Sequence, residues 1–221
     1  MKIEIDTDEQ TIVCREASGK NSPLPMYSNA GFELISKIWI QQGWNQLHWQ
    51  SFSWFGFPIW QLPEDLIRLQ EALTLIKPDV IIETGIGRGG SAIFLASICR
   101  LIGKGRVISI DINISREFND QIQASPFADL ITLIEGDSAS PQIVHQVQSM
   151  IGESETVFVL LDSDHSKEHV SKELKAYAPM VTAGSYIVVA DGVMQSLADT
   201  PLGDSGWADD NPAVAANAFL K

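Results

Sequence analysis

A short apolar run, Val80-Ile-Ile, ends in Glu83 and gives way to a glycine-rich turn, Thr84-Gly-Ile-Gly-Arg-Gly-Gly-Ser91, which opens a second apolar run over 92–102. The first run suits a buried strand and the second has helical length. Glycines between them permit positive φ and let a ligand approach the backbone. Gly85, Gly87 and Gly90 formally match the dinucleotide fingerprint G-x-G-x-x-G. The acid before them argues otherwise. A pyrophosphate gains from the amides and the helix N-terminus, and Glu83 would set a carboxylate beside it. A cofactor with a cationic amino group and no phosphate tolerates that acid better. S-adenosylmethionine (SAM) is such a cofactor. A second acid, Asp111, ends the next apolar run, Arg106-Val-Ile-Ser-Ile-Asp111, where a carboxylate can accept from both ribose hydroxyls. SAM is the expected ligand, ahead of a dinucleotide or a purely structural turn.

From Val80 onward, runs of strand and helix character alternate. Strands are expected near 80–83, 106–111, 131–135, 156–162 and 185–190, and helices near 90–102, 115–124, 141–151 and 166–178. Alternating βα units imply a doubly wound, mostly parallel sheet with helices on both faces, a Rossmann-like α/β fold. Ligands in such sheets sit at the carboxyl ends of the strands. Every expected strand here ends in a polar group: Glu83, Asp111, the turn Gly136-Asp-Ser138, Asp162 and Asp191. Pro63-Glu-Asp65 starts a further helix well, and that helix should run to about residue 76 and stop before Pro78. Ahead of it, residues 1–62 read as an extension to the SAM-binding domain at 63–221. Ser22-Pro23 and Leu24-Pro25 suggest an extended or loosely packed lead-in over 1–30. Trp39, Trp44, Trp49, Trp54 and Trp60 then concentrate five of the six tryptophans into one stretch. That stretch reads as a helix and loop packed on the domain, or as a lid and acceptor wall.

Bulk properties narrow the partners. With 221 residues the chain can bury a sizeable core. A formal net charge of −13 argues against binding nucleic acid through its phosphates. The two cysteines, Cys14 and Cys99, have no metal spacing, and a reducing, cytoplasmic setting is expected. The N-terminus is too acidic for a signal peptide. No apolar run is long enough to span a membrane. A homo-oligomer is compatible with the sequence.

The candidate chemistry lies at the third, fourth and fifth strand ends. Asp137 and Ser138 can offer hydrogen bonds to an adenine edge, or simply form a polar turn. Asp162, Asp164 and Asp191 are expected to converge. Clustered carboxylates repel unless a cation or proton sits among them, and hard oxygen ligands suit Mg²⁺. Such an ion can lower the pKa of an acceptor hydroxyl, leaving methyl transfer to in-line positioning. Asp162 can alternatively contact the cofactor. His165 is the leading candidate for a general base or a partner of Asp162 or Asp191, with Lys167 as a rival base. His165-Ser-Lys-Glu-His169 also fits the inverted zinc motif H-x-x-E-H. That motif would follow directly on a βα turn, with only the isolated His48 and His145 as distant ligands, and His169 reads better as helix surface.

With these residues laid out, the chain resembles the cephalosporin hydroxylase / rhamnosyl O-methyltransferase family. The resemblance runs from about Trp60 to Asp191. It rests on Trp60-Gln-Leu-Pro-Glu-Asp-Leu66, Pro78-Asp-Val-Ile-Ile-Glu-Thr-Gly85, Gly87 with Gly89-Gly-Ser91, Gly105-Arg-Val107 with Ile110-Asp-Ile112, Ile131-Thr-Leu-Ile-Glu-Gly136 and Leu161-Asp-Ser-Asp-His-Ser166. It implies a class I SAM-dependent methyltransferase fold, a divalent metal, and a small-molecule hydroxylated acceptor such as a sugar on a natural product. A SAM-dependent O-methyltransferase is therefore expected, using Glu83, Gly85, Gly87, Gly89, Ser91, Asp111, Asp137, Ser138 and Asp162 for cofactor. The alternative is a SAM-binding module of the same fold with lost or different activity. Two departures stand out. The family usually carries Glu-Asp at the fifth strand end, where this chain has Ala190-Asp191, and related catechol-type enzymes carry Asp-Asn, where it has Asp191-Gly192. The fold also normally closes with two further strands. After Asp191 this sequence offers a loop over 192–212 and the start of a helix, so the stretch 191–210 is expected to be mobile, with Trp207 as its one anchor.

Overall fold

The computed structural model describes residues 2–15 and 21–221. Contacts group the chain into two units, Met1–Gln46 and Leu47–Lys221. The stretch 47–62, expected to go with the N-terminal extension, thus belongs to the second unit.

In the first unit the opening residues form a three-stranded antiparallel sheet instead of a loose lead-in. β1 (Lys2–Asp6), β2 (Thr11–Arg15) and β3 (Asn21–Pro25) lie in that order, and Ile12 of the central strand is fully buried. The prolines that read as turn signals sit on an edge strand. Met26 N–H donates to the Gln10 carbonyl, so pairing falls on even positions, and the missing N–H groups of Pro23 and Pro25 would face the unpaired side. Helix α1 (Asn29–Asn45) follows. Ser28 caps it by accepting from Gly31 N–H at 3.1 Å. This helix carries Trp39 and Trp44.

The second unit begins with a small ribbon, β4 (Ser53–Trp54) and β5 (Phe57–Pro58), turned through Phe55 and Gly56 at positive φ. Helix α2 (Pro63–Ile76) starts at its proline, with Glu64 and Asp65 in the first turn. The sheet then forms from β6 (Val80–Thr84), β7 (Arg106–Asp111), β8 (Ile131–Glu135), β9 (Val157–Leu161) and β10 (Ile187–Val189). Their order is β10-β9-β6-β7-β8 and every pairing is parallel. β6 and β9 are buried at every position, as continuous apolar runs in a sheet covered on both faces should be.

Alternation with period two sorts the strand residues between two cores. Ile81, Val107, Phe158 and Leu160 pack with α2 and with α3 (Gly90–Ile102). Val80, Ile82, Ile108 and Val159 pack on the other face. There they meet α5 (Pro141–Ser149), α6 (Lys167–Tyr177) and α7 (Pro212–Phe219). Helix α4 (Arg116–Gln123) joins β7 to β8 and buries Ile122 in the first core. The expected doubly wound sheet is therefore present. The chain runs outward through β6, β7 and β8, then returns to lay β9 against the other side of β6. That reversal opens a crevice at the carboxyl ends of β6 and β9.

The stretch after β10 carries short turns and buried side chains where a loop with one anchor was expected. It forms 3₁₀ turns at Gly192–Ser196 and Ser205–Ala208 before α7. Met194 and Leu197 are buried, three residues apart on one turn, and supply anchors besides Trp207. Buried Asn211 caps α7 by accepting from Val214 N–H at 3.0 Å. Among the described residues no helix is long and apolar enough to cross a membrane.

Candidate active site

The glycine turn joins two central strand tips. Gly85 has φ +83°, and a Cβ there would lie 1.9 Å from the Asp162 carbonyl oxygen. Gly85 N–H donates to the Ile110 carbonyl, and Asp162 N–H to that of Thr84, at 2.8 and 2.9 Å. This glycine therefore lets the ends of β6, β7 and β9 meet. Gly87 is different: it has φ +54° and open space where a Cβ would stand. The turn is packed at its root and bare at its tip, where a ligand can reach the backbone.

Glu83 lies beneath this turn with 0% exposure. Its Oε2 accepts from Ser109 Oγ at 2.5 Å, while Oε1 has no hydrogen-bond partner. Burial raises its pKa to about 7, against the lowering effect of the Ser109 and Ser91 hydroxyls, and Asp162 and Asp111 add to the rise. Ser109 was not anticipated, although its place opposite Glu83 in a parallel register would have revealed it.

Asp111 closes over the turn. Its Oδ2 accepts from Ile86 and Gly87 N–H at 2.9 and 3.3 Å, and its Oδ1 from Asn113 N–H at 3.1 Å. Oδ2 is taken up by two amides, while Oδ1 keeps a lone pair that can accept a ribose hydroxyl. A cavity of about 540 Å³ opens here, lined by Gly87, Asp111, Asn113, Ser115, Phe118 and Pro58 among others. One sheet position away, Asp137 is exposed and its Oδ1 accepts from Ala139 N–H. Ser138 does not present its hydroxyl to a ligand as expected. It is buried and donates to Glu173 Oε1 at 2.6 Å.

At the ends of β9 and β10, Asp162, His165 and Asp191 bring ligand atoms within 4.8 Å of one another. His165 Nε2 lies 3.0 Å from Asp191 Oδ2 and 3.7 Å from Asp162 Oδ1. Gln61, unforeseen in sequence, donates from Nε2 to Asp162 Oδ2 at 2.6 Å. Burial and Asp191 raise Asp162 to about 6, against the lowering effect of the adjacent His165 imidazole and of the Gln61 hydrogen bond. Burial alone would lower His165, yet the neighbouring Asp162 and Asp191 carboxylates prevail and lift it to about 10. Asp191 has φ +54°, a left-handed conformation that aspartate tolerates at modest cost. Asp65, at the head of α2, is raised by partial burial, Asp191 and Glu64.

The third expected carboxylate does not join this group. Asp164 Oδ1 accepts from Ser166 N–H at 2.7 Å and turns to the start of α6. His165 takes its place. Lys167 is exposed at the first position of α6. His169 does not pair with His165 and is no plain surface residue. Its Nε2 lies 3.2 Å from Ser138 Oγ and 3.5 Å from Glu173 Oε1.

The aromatic stretch divides. Trp54 is structural: its Nε1 donates to Ser97 Oγ at 3.1 Å and its ring meets Phe94 edge-on. Trp60 is 43% exposed, stands edge-on to Trp49, and carries the Arg88 guanidinium 5.4 Å from its ring. Gln61, which bonds Asp162, follows directly in the chain, and Arg88 lines the cavity beside Asp111.

Comparisons with known proteins identify the family. Residues 46–221 match the family model described as rhamnosyl O-methyltransferase/CmcI. The chain is 34% identical over 141 residues to the rhamnosyl O-methyltransferase of Mycobacterium tuberculosis H37Rv, covering 63% of this chain and 56% of that one. For the Mycobacterium leprae protein of the same name, identity is 36% over 141 residues, covering 63% and 59%. The chain thus spans a little over half the length of these relatives. Among solved structures, apo CmcI-N160 aligns with a TM-score of 0.54 and 20% identity, over 72% of this chain and 65% of that one. An O-methyltransferase from Bacillus cereus in complex with SAH gives 0.52 and 18%, over 84% and 77%. At these identities the structural likeness is one of fold. The match to the family model covers well over half of the chain, which belongs to the rhamnosyl O-methyltransferase/CmcI family.

Proposed function

We propose that this chain binds SAM at the glycine turn and transfers its methyl group to a hydroxyl of a small molecule, such as a sugar or natural-product glycoside. The observation that carries this reading is Glu83. A fully buried carboxyl with an unpartnered oxygen is costly, and here it lies under a turn that is bare at Gly87. A cationic amino group seated above it would remove that cost. Asp111, one strand over, would orient the ribose by accepting a hydroxyl at Oδ1.

SAM supplies the electrophilic methyl. The residues then have to hold an acceptor oxygen in line with it and take up the hydroxyl proton. Asp162 suits the second task, because a carboxyl raised to about 6 is matched to neutral pH. His165, held between two carboxylates, serves as a partner and not as a free base. Trp60 offers an apolar face for the acceptor ring. Two carboxylates and an imidazole also fit a divalent cation, so Asp162, His165 and Asp191 would hold one. When bound it would supply Lewis acidity toward the acceptor hydroxyl. Mg²⁺ remains the family expectation, and the imidazole widens the choice to softer ions.

Calorimetry with S-adenosylhomocysteine and NAD tests the cofactor. The first should bind and the second should not. Asp111→Ala should weaken binding at least about tenfold, as a lost charged hydrogen bond does. Unchanged affinity in that variant overturns the site. Acceptor-dependent formation of S-adenosylhomocysteine separates an enzyme from a binding module.

A further inference from the structure

Glu173 is a buried acid that the proposed chemistry does not use. It lies on α6 with 0% exposure. Its Oε1 accepts from Ser138 Oγ at 2.6 Å and from Ser163 Oγ at 2.7 Å, while Oε2 has no partner. These serines belong to different turns. Ser138 follows β8, on the adenine side. Ser163 follows β9, between Asp162 and Asp164. Tyr177, one turn further along α6, donates to the Ser138 carbonyl at 2.7 Å and fastens the same turn a second time. His169 closes the group from the other side, 3.5 Å from Oε1. Burying a half-satisfied carboxylate is an expensive way to fill space that leucine or methionine would fill without loss. What an apolar side chain would not do is accept two hydroxyls from two turns with one oxygen.

We propose that Glu173 is a positioning residue that locks the adenine-side turn, 136–140, to the acceptor-side turn, 162–165. This inference rests on the SAM reading given above. Ser163 also follows directly on Asp162, and its Cα is 2.7 Å from where a Gly85 Cβ would stand. A shift of one turn is therefore passed to the glycine loop and to the cluster. Cofactor binding and the alignment of Asp162 and His165 become coupled, and coupling of this kind is reciprocal.

The test uses Ser163→Ala, Ser138→Ala and Glu173→Gln in the full chain, with S-adenosylhomocysteine as probe. The Ser163 hydroxyl, which the variant removes, touches Glu173, while the backbone that abuts Gly85 is kept. Ser163→Ala should nevertheless weaken S-adenosylhomocysteine binding about three- to tenfold, and speed amide exchange at 136–140. Ser138→Ala should speed exchange at 162–166. In a Glu173→Gln background, whose amide oxygen can still accept both hydroxyls, Ser163→Ala should weaken binding by a similar factor. Native affinity together with unchanged exchange at 136–140 in Ser163→Ala overturns the proposal. If Glu173→Gln does not fold, the serine variants, which keep Glu173, decide alone. A wild-type chain that does not bind S-adenosylhomocysteine overturns the SAM reading instead, and the exchange measurements still decide whether the turns are locked.

Discussion

The two halves of the crevice are built on opposite terms. On the β6–β7 side the polar groups are tied to backbone: Asp111 spans three N–H groups and Glu83 is sealed under the turn. On the β9–β10 side Asp162, His165 and Asp191 lie mainly against one another and are only partly buried, with Asp191 in a left-handed conformation. The first half is preorganised by the fold itself. The second is a set of charges held close together, and it depends on what neutralises them. The proposed function puts binding in the part that the fold fixes and chemistry in the part that it leaves unbalanced, as sites that store strain and shifted pKa values tend to do.

The sharpest way to break that division is at the joint between the halves. Gly85→Ala puts a methyl 1.9 Å from the Asp162 carbonyl at φ +83°. Overpacking and the left-handed penalty together should cost about 3–5 kcal/mol, and both halves should fail together. Gly87→Ala meets nothing within 4 Å. It should keep the fold, losing only about 1–2 kcal/mol to its backbone, while obstructing cofactor. Thermal unfolding of the two variants measures the contrast. Equal losses would show that the joint is not where the strands are held.

Chelation should separate the halves without touching the fold. Removing divalent ions should reduce turnover at least about a hundredfold, the several kcal/mol that a Lewis acid supplies. Binding of S-adenosylhomocysteine should survive. With an imidazole in the set, Mn²⁺ should restore activity at least as well as Mg²⁺. Full turnover in excess EDTA would leave Asp162 and His165 to work alone.

The same division governs what was legible in the sequence. The β6–β7 half was readable because strand, acid, glycines and helix are contiguous, and their periodicity fixes where each points. The five sheet strands and the helices between them fell close to their expected places for that reason. The β9–β10 half depends on residues that only tertiary packing brings together. Gln61 reaches Asp162 across 101 positions, and nothing local tells Asp164 from His165 as the third member. Ser138 was placed at the right turn with the wrong orientation, because its hydroxyl answers to Glu173 on α6. The N-terminal sheet was hidden by Pro23 and Pro25, whose meaning changes once the strand lies at an edge. The packing of 192–211 rests on Met194 and Leu197, too sparse a pattern to register as an element.

Glu83 offers a pH test confined to the first half. Its folded pKa of about 7 lies above the ordinary value of 4.5. The fold is thus favoured while Glu83 is protonated, and stability should fall as pH rises from 4.5 through 7. The penalty, about 3 kcal/mol by linkage, is complete above that window. Glu83→Gln should flatten this fall and leave the apo chain more stable than wild type at pH 8, yet bind S-adenosylhomocysteine more weakly. Denaturant unfolding at pH 5 and pH 8 reads the first effect. Parallel wild-type and variant profiles would mean that Glu83 does not carry the buried proton.

The smallest expected effect is on the acceptor wall. Trp60 is exposed, stacked edge-on with Trp49 and covered by Arg88. An exposed cation–π contact contributes about 0.5–1 kcal/mol, so Trp60→Ala should cost little stability. The next residue, Gln61, bonds Asp162, and the proposed function puts the ring on the acceptor side. The loss should therefore appear as a raised KM for acceptor, with kcat and S-adenosylhomocysteine affinity nearly native, the pattern of an interaction made equally in ground and transition states. Arg88→Ala should reproduce part of the KM change, because it frees the ring it covers. A fall in cofactor affinity with unchanged acceptor KM would move Trp60 to the other half of the crevice and blur the division between them.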